Sequence, residues 1–327
     1  MKKASLEEVA TALQHVDSVL VTSHRSPEGD ALGASLGLTL GLRSLGKSAR
    51  LFNADPCPDN LRFLPDVDRL LESRLPSGPF DAVVICDCAE SERVHPELAT
   101  QVETDQWIII DHHRTQPTLG TLVVQDAEAP ATCELILALL DQMQIPIDRD
   151  IATALYTGLA VDTGNFHYSN ADVRAFSAAT RLVAAGADAS RIARFVFEER
   201  SLPSLRLLAL VLDTLEVTED GRVASITIEP AMLAETGASP EDSMGLVNYP
   251  RALAGCAVAV QYMVLDATHV RVSMRTSEEP VDVESVAKVF GGGGHQHAAG
   301  CVVELPLERA KASLVGEIRT MLTRVYP

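Results

Sequence analysis

Paired cysteines are missing from this chain. Its six cysteines stand singly at 57, 86, 88, 133, 256 and 301, with no CxxC among them, so neither a zinc ribbon nor a dithiol redox motif is indicated. Basic residues are scarce as well: 27 Lys and Arg stand against 45 Asp and Glu, a formal net charge of −18. That balance argues against binding long nucleic acid through a basic surface. A small phosphorylated ligand is not excluded, since it needs only a few local cations. Long apolar runs are absent too. Nothing approaches the roughly 18 residues a spanning helix requires, and MKKASLEEVATALQHVD lacks the uninterrupted apolar core of a signal peptide. A soluble, cytoplasmic protein without membrane contact is expected.

What is present is globular. The 327 residues are 46 % hydrophobic and 22 % charged, enough for two domains with a sizeable core each. No internal repeat or low-complexity tract interrupts them. Strand-like segments at 17–23, 49–53, 80–86 and 106–110 alternate with helix-like ones at 31–46, 130–143 and 148–161. Near-continuous apolar strands separated by helices indicate a parallel sheet with helices on both faces. Helical patterns dominate from about 171 to 216, broken by Pro203. After that, strand candidates at 222–228, 255–265 and 269–276 crowd together, followed by helices at 282–290 and 306–324. The expected fold is α/β: an N-terminal parallel-sheet domain over 1–203, a helical connector over 204–216, and a smaller C-terminal α/β domain with a mixed sheet over 217–327, with a cleft between the domains.

The stretch 108-IIIDHHR-114 carries the chemistry. Three isoleucines read as a buried strand, yet Asp111, His112 and His113 follow at once, a cluster that a core cannot hold unsatisfied. Two other strands end in the same manner. The segment 17–23 runs into His24, Glu28 and Asp30, and 80–86 runs into Asp87. In an open parallel sheet such clusters meet at the carboxyl edge, where these folds hold ligands. Asp162, at the end of a helix, is a fourth candidate. Asp30 alone also reads as a helix N-cap, but three strands ending in Asp/His clusters are hard to credit to chance. Imidazoles and carboxylates without a thiolate partner suit Mn²⁺ or Mg²⁺ better than structural zinc. They are too many for one ion and fit two ions sharing a carboxylate, a recurring device for in-line attack on phosphate. Cys86 and Cys88 flank Asp87 and are expected as small buried residues on the face opposite the aspartate.

Taken in order, 24-HRSPEGDALGAS-35, Asp87 in 83-VVICDC-88, 111-DHH-113, 162-DTGNF-166 and 291-GGGGHQHAAG-300 resemble the DHH phosphoesterases that carry a DHH-associated C-terminal domain. The layout looks most like their bacterial oligoribonuclease and phosphoadenosine-phosphate phosphatase (nanoRNase) branch. The resemblance implies two Mn²⁺ ions, with Mg²⁺ as the alternative. His24 and Glu28 would bind one, Asp30, His112 and Asp162 the other, and Asp87 both. His113 would contact substrate phosphate, giving Asp87, His112 and His113 the catalytic roles, and Asp111 would support the loop. The family usually has Asp where this chain has Glu28, so that ligand is a departure.

The C-terminal block adds a clamp. Consecutive glycines allow close approach of a ligand and offer backbone N–H groups to an anion, although a glycine run also reads as an ordinary loop. By the same resemblance, Gly293, Gly294, His295, Arg251 and Arg275 would hold substrate; guanidinium suits bidentate phosphate contact. Arg271 and His297 are read as surface and structural. The implied activity is hydrolysis of short oligoribonucleotides or linear dinucleotides to mononucleotides, together with 3′-phosphoadenosine 5′-phosphate to AMP, and a homodimer is compatible with it. The rival readings are a pyrophosphatase-like hydrolase and a degenerate nucleotide sensor.

Overall fold

The computed structural model describes residues 2–326, which form two compact units, one ending at Glu199 and the other beginning at Arg200. The first is built on seven strands: β1 (Lys2–Lys3), β2 (Ser18–Thr22), β3 (Ser48–Phe52), β4 (Leu71–Glu72), β5 (Ala82–Cys86), β6 (Trp107–Asp111) and β7 (Leu122–Gln125). They lie in the order β1-β7-β6-β5-β2-β3-β4, and every pairing is parallel. Five consecutive buried residues in β5 show why the strands read as unbroken apolar runs: helices cover both faces.

On one face lie α1 (Leu6–Gln14), α2 (Gly29–Ser44), α3 (Thr132–Gln142), α4 (Arg149–Asp162) and α5 (Val173–Ala184), and on the other the short helical turns Ser91–Val94 and Leu98–Gln101. The first five pack with Val19, Val21, Val84 and Ile110 of the sheet, while Leu20, Val83, Ile85 and Ile109 meet Val94 and Leu98 on the other face. Helix α1 and strand β7 go beyond the sequence reading. The first is opened by a Ser5–Glu8 capping box, and the second offers only LVVQ, too short a run to stand out from a loop.

Helix α2 departs from the amphipathic pattern because almost all of it is buried. Its glycines recur every fourth residue, at 29, 33, 37 and 41; the first three let α4 approach closely, while Gly41 faces Leu140 of α3. A Cβ on Gly33 would stand 2.4 Å from the carbonyl oxygen of Ala154, and one on Gly158 would stand 2.8 Å from the Cα of Asp30. Backbone packs against backbone here, which brings the start of α2 beside the end of α4.

In the second unit, β8 (Glu216–Val217), β9 (Val223–Ile228), β10 (Val258–Val264), β11 (Val270–Arg275), β12 (Gly293–His295) and β13 (Ala298–Val303) form a mixed sheet in the order β8-β9-β10-β11-β13-β12. Only β9 and β10 run parallel. Helix α6 (Leu202–Leu212) belongs to this unit rather than forming a separate connector over 204–216, because Leu207 and Val211 are buried with Ile226 and Ile228. Pro203 starts that helix instead of breaking one; proline's missing N–H costs nothing in a first turn. Helices α7 (Val283–Val289) and α8 (Leu307–Val325) cover the other face. Among the described residues, no helix is long and apolar enough to cross a membrane.

The helix contact yields a paired prediction. Gly33→Ala pushes a methyl against a carbonyl that cannot move aside, and should lower unfolding free energy by about 1–3 kcal/mol. Gly316→Ala, inside α8 with nothing within 4 Å of the added carbon, should raise it by about 0.5–1 kcal/mol. Urea denaturation of each variant measures both; an unharmed Gly33→Ala protein contradicts the close packing.

Candidate metal centre

Adjacent strands β6, β5 and β2 end side by side, Cys86 pairing with Ile110 and Ile85 with Thr22. β6 ends on Asp111 itself and runs into His112 and His113, β5 is followed by Asp87, and β2, after Ser23, by His24. Asp87 has a positive φ of 57°, uncommon for a non-glycine residue and costly unless its surroundings hold it. The same twist breaks strand alternation. Cys86 and Cys88 are both buried, as expected, but they join the clusters on opposite faces of the sheet instead of sharing one.

Side chains converge on Asp87, which is 1 % exposed. His24 Nε2 lies 3.5 Å from Asp87 Oδ2 and 3.3 Å from Glu28 Oε1. His112 Nε2 lies 3.6 Å from Asp87 Oδ1 and 3.1 Å from Asp162 Oδ2, and His113 Nδ1 is 3.4 Å from Asp87 Oδ1. Three groups have one donor atom per residue within 4.8 Å of one another: His24 with Glu28 and Asp87, Asp30 with His112 and Asp162, and Asp87 with His112 and His113. Every residue that the resemblance proposed as a ligand is in this set. Glu28 is the least enclosed, its side chain 48 % exposed where that of Asp87 is 1 %.

Surrounding contacts aim these donors. His24 Nδ1 is 2.7 Å from the Arg25 carbonyl and His112 Nδ1 3.2 Å from that of Ala129, so each ring turns Nε2 inward. Asp111 Oδ1 takes the His113 N–H at 3.0 Å and sits 2.7 Å from His113 Nδ1, which is how it supports the loop. Asp30 does not cap its own helix. Its two carboxylate oxygens accept the Thr132 and Cys133 N–H groups at 2.6 and 2.9 Å, across a hundred residues of chain, where the first residues of α3 have no cap of their own. Each oxygen keeps a lone pair for another partner.

Three contributors went unread in the sequence. Thr132 donates its hydroxyl to Asp87 Oδ1 at 2.9 Å, Asn53 donates to the His24 carbonyl at 2.8 Å, and Asn170 donates to the Asp162 carbonyl at 3.1 Å. Each is a single polar residue without a motif; only the ends of β3 and the start of α3 at the same sheet edge pointed to the first two.

The charge balance favours cations. Burial and the neighbouring Asp30 raise the Asp87 carboxyl to about 7, and burial raises Asp162 to about 6 even though His112 opposes it. Burial works against protonating the histidines, yet Asp87 and Glu28 lift His24 to about 10, and Asp162, Asp30 and Asp87 lift His112 to about 11. Protons here compensate crowded negative charge. Asp87 Oδ2 is buried without a hydrogen-bond partner, its contact with His24 being too long for one. An orphaned buried carboxylate oxygen among imidazole and carboxylate donors, with no thiolate, fits divalent cations that prefer oxygen and nitrogen.

The second unit places its candidates on one sheet face. Arg275 pairs with Ala298, which pairs with His295, so the two long side chains flank a small residue in one row. Val272 and Met274 point into the core on the other face. The one-turn helix Asn248–Arg251 packs over β9 and β10, with Leu246 just before it buried against Ile226 and Met263, so Arg251 belongs to the same face. Arg271 is exposed, and His297 takes part in the fold by accepting the Thr276 N–H. The glycine run is part turn and part strand: Gly291 lies in a turn, Gly293 and Gly294 are strand, and of the four only Gly291 and Gly294 have positive φ, 72° and 145°. A Cβ on Gly292 would meet the Gly300 carbonyl at 2.2 Å, so part of the glycine content serves backbone contact within the hairpin.

The DHH family N-terminal domain matches residues 18–159, and the DHHA1 domain matches residues 222–322. The chain is 34 % identical over 322 residues to the bifunctional oligoribonuclease and PAP phosphatase NrnA of Thermus thermophilus, covering 97 % of this chain and 94 % of that one. It is 25 % identical over 303 residues to the protein of the same name from Bacillus subtilis, covering 90 % and 92 %. A solved exopolyphosphatase-related protein from Bacteroides fragilis shares the fold with a TM-score of 0.89 at 24 % identity, over 98 % of this chain and 97 % of that one.

The four raised values set a pH dependence. The metal-free native state binds more protons than the unfolded chain between 3.8 and about 7 through Asp87, and between 6.5 and about 10 through His24. Its stability from these groups therefore falls as pH rises through those windows. Cations must displace the same protons. The rise in Tm on adding Mn²⁺ should thus be larger at about pH 8.5 than at about pH 6; thermal unfolding checks it, and an increment that shrinks with pH contradicts the ligand set.

Proposed function

The chain belongs to the DHH family, and from that premise we propose that it is a metal-dependent phosphoesterase acting on short oligoribonucleotides and linear dinucleotides to give mononucleotides, with 3′-phosphoadenosine 5′-phosphate as a second substrate. One observation carries the reading: of three overlapping groups of ligand atoms at one sheet edge, two contain the buried Asp87 and the third is joined to them through His112. The names of the Thermus and Bacillus relatives support the same substrates.

In this proposal two Mn²⁺ ions, or Mg²⁺ in their place, occupy the centre. His24 and Glu28 hold one, Asp30, His112 and Asp162 the other, and Asp87 faces both. Bound divalent ions supply Lewis acidity at the phosphoryl oxygens and a nucleophile at neutral pH. The chain's part is positional. Asp111 fixes the His113 ring by its Nδ1, which directs Nε2 away from the carboxylates and toward the place of a substrate phosphate. Thr132 holds Asp87 at a strained backbone angle, and the carbonyls of Arg25 and Ala129 keep two imidazoles facing inward. Glu28 lies in the same donor group as His24 and Asp87, which favours a working ligand over a sensor that has lost its site.

In the second unit, Arg275 and His295 with Arg251, Gly293 and Gly294 take the nucleotide's phosphate and base. A phosphate next to guanidinium gains a charge-assisted, bidentate contact. The net charge of −18 keeps long nucleic acid off the surface. A homodimer in the cytoplasm is the proposed working state.

Asp87→Asn should reduce hydrolysis of a 5′-phosphorylated diadenylate by at least about 10³-fold, since it removes the charge common to both ion positions. The metal-free protein should unfold at an equal or higher temperature, because a buried carboxylate has been neutralised. Retained turnover would remove the shared role. Arg275→Ala should raise KM for nucleotides by about 10- to 100-fold with a smaller change in kcat; an unaltered KM overturns the clamp.

A further inference from the structure

Beside the metal centre, in the same unit, lies a recess of about 310 Å³ lined by Arg25, Ser26, Asp55 and Arg93. Nothing in the mechanism above uses it. Resting on the phosphoesterase reading, we propose that this recess binds a second, non-reacting phosphate of the substrate, and so favours nucleotides with a terminal phosphomonoester in addition to the phosphate under attack.

The site is built rather than incidental. Arg25 directly follows His24, and its N–H donates to the Arg93 carbonyl at 2.8 Å, which ties the loop after β2 to the helical turn Ser91–Val94. The Arg25 guanidinium is steered by the carbonyls of Arg93 and Glu92, each at 3.4 Å. Those long contacts engage two of its five N–H donors. Arg93 has one ion pair, with Glu90 at 3.9 Å, between half-exposed side chains, a weak contact in water. Two guanidinium groups thus line one recess in a chain with 27 basic and 45 acidic residues, an arrangement that gains from an anion between them.

The lone carboxylate of the lining is already committed. Asp55 Oδ2 accepts the Ser26 N–H at 2.7 Å, and Ser26 has a φ of 52°. That bond holds a non-glycine residue in the left-handed region, where a backbone persists only if its surroundings enforce it. Asn53 joins the recess to the centre, accepting the Asp55 N–H at 3.0 Å through its side-chain oxygen while donating to the His24 carbonyl at 2.8 Å. The recess and the His24 loop are therefore shaped by one set of hydrogen bonds. Planar guanidinium matches the oxygens of a phosphomonoester bidentately, and the centre next to it is proposed to act on phosphates.

The test uses two substrates that differ by one group: diadenylate with a 5′-phosphate and diadenylate with a 5′-hydroxyl. The quantity read is the ratio of their kcat/KM values on the full-length, Mn²⁺-loaded protein. Arg93→Ala should lower that ratio by about 10- to 100-fold, the worth of a charged hydrogen-bonded contact. Arg93→Lys, which keeps the charge and loses the fork, should lower it less. The backbone bond from Arg25 to the Arg93 carbonyl survives both changes. An equal loss on both substrates marks a structural role and overturns the proposal, as does an unaltered ratio. If the wild-type protein hydrolyses neither compound, the phosphoesterase reading fails, and calorimetric binding of the same intact pair decides the recess. A preference for the phosphorylated compound that Arg93→Ala abolishes upholds it; no preference overturns it.

Discussion

Crowded negative charge at the end of a parallel sheet governs this structure. Asp30, Asp87 and Asp111 are buried there, with Asp162 and Glu28 beside them. Two like charges about 4 Å apart repel by about 4 kcal/mol even at an effective dielectric of 20. Without cations, the protein relieves that repulsion by raising the carboxyls of Asp87 and Asp162 and by protonating His24 and His112. Divalent cations would do the same task more completely, since the orphaned oxygen of Asp87 could also find a partner in them. The donors come from five separate pieces of backbone: three strand ends, one helix start and one helix end.

The helix contact is what makes the two helical contributions coincide. Gly33 on α2 and Gly158 on α4 let the two helices approach to backbone distance, so Asp30 and Asp162 share a wall of the site. Asp30 then has two employments, since it closes the first turn of α3 as well as facing the centre. Its carboxylate would remain in place before any ion arrives, held by two backbone N–H groups. Glu28, by contrast, stands on the rim with nearly half its side chain in solvent. Any ion held beside Glu28 would therefore be the more solvent-exposed one.

Much of this was legible in the residues. Apolar runs ending abruptly in Asp and His marked the strand tips, because a hydrophobic strand that stops at a charge must stop at an edge. The parallel sheet followed from unbroken apolarity between helices. Other features depend on distance through space. Nothing around Thr132 says that its hydroxyl meets Asp87, forty-five residues earlier, and Asn53 and Asn170 are equally silent. The alternation rule put Cys86 and Cys88 on one face and failed because Asp87 adopts a left-handed conformation between them. The glycine run reads as backbone open to a ligand, with a plain loop as the alternative; that part of it also lays one strand of a hairpin against another cannot be seen without the fold. Helix α6 read as a connector because its pattern alone cannot show what it packs on; Ile226 and Ile228 settle that.

The account stands or falls on whether chemistry depends on cations held by this cluster. Release of AMP from 5′-phosphorylated diadenylate by metal-stripped protein, followed as Mn²⁺ is added in steps, tests it most directly. No turnover should occur without metal, and the rate should saturate at about two bound equivalents per chain. Undiminished turnover by the stripped protein, or none once metal is shown to be bound, would contradict it.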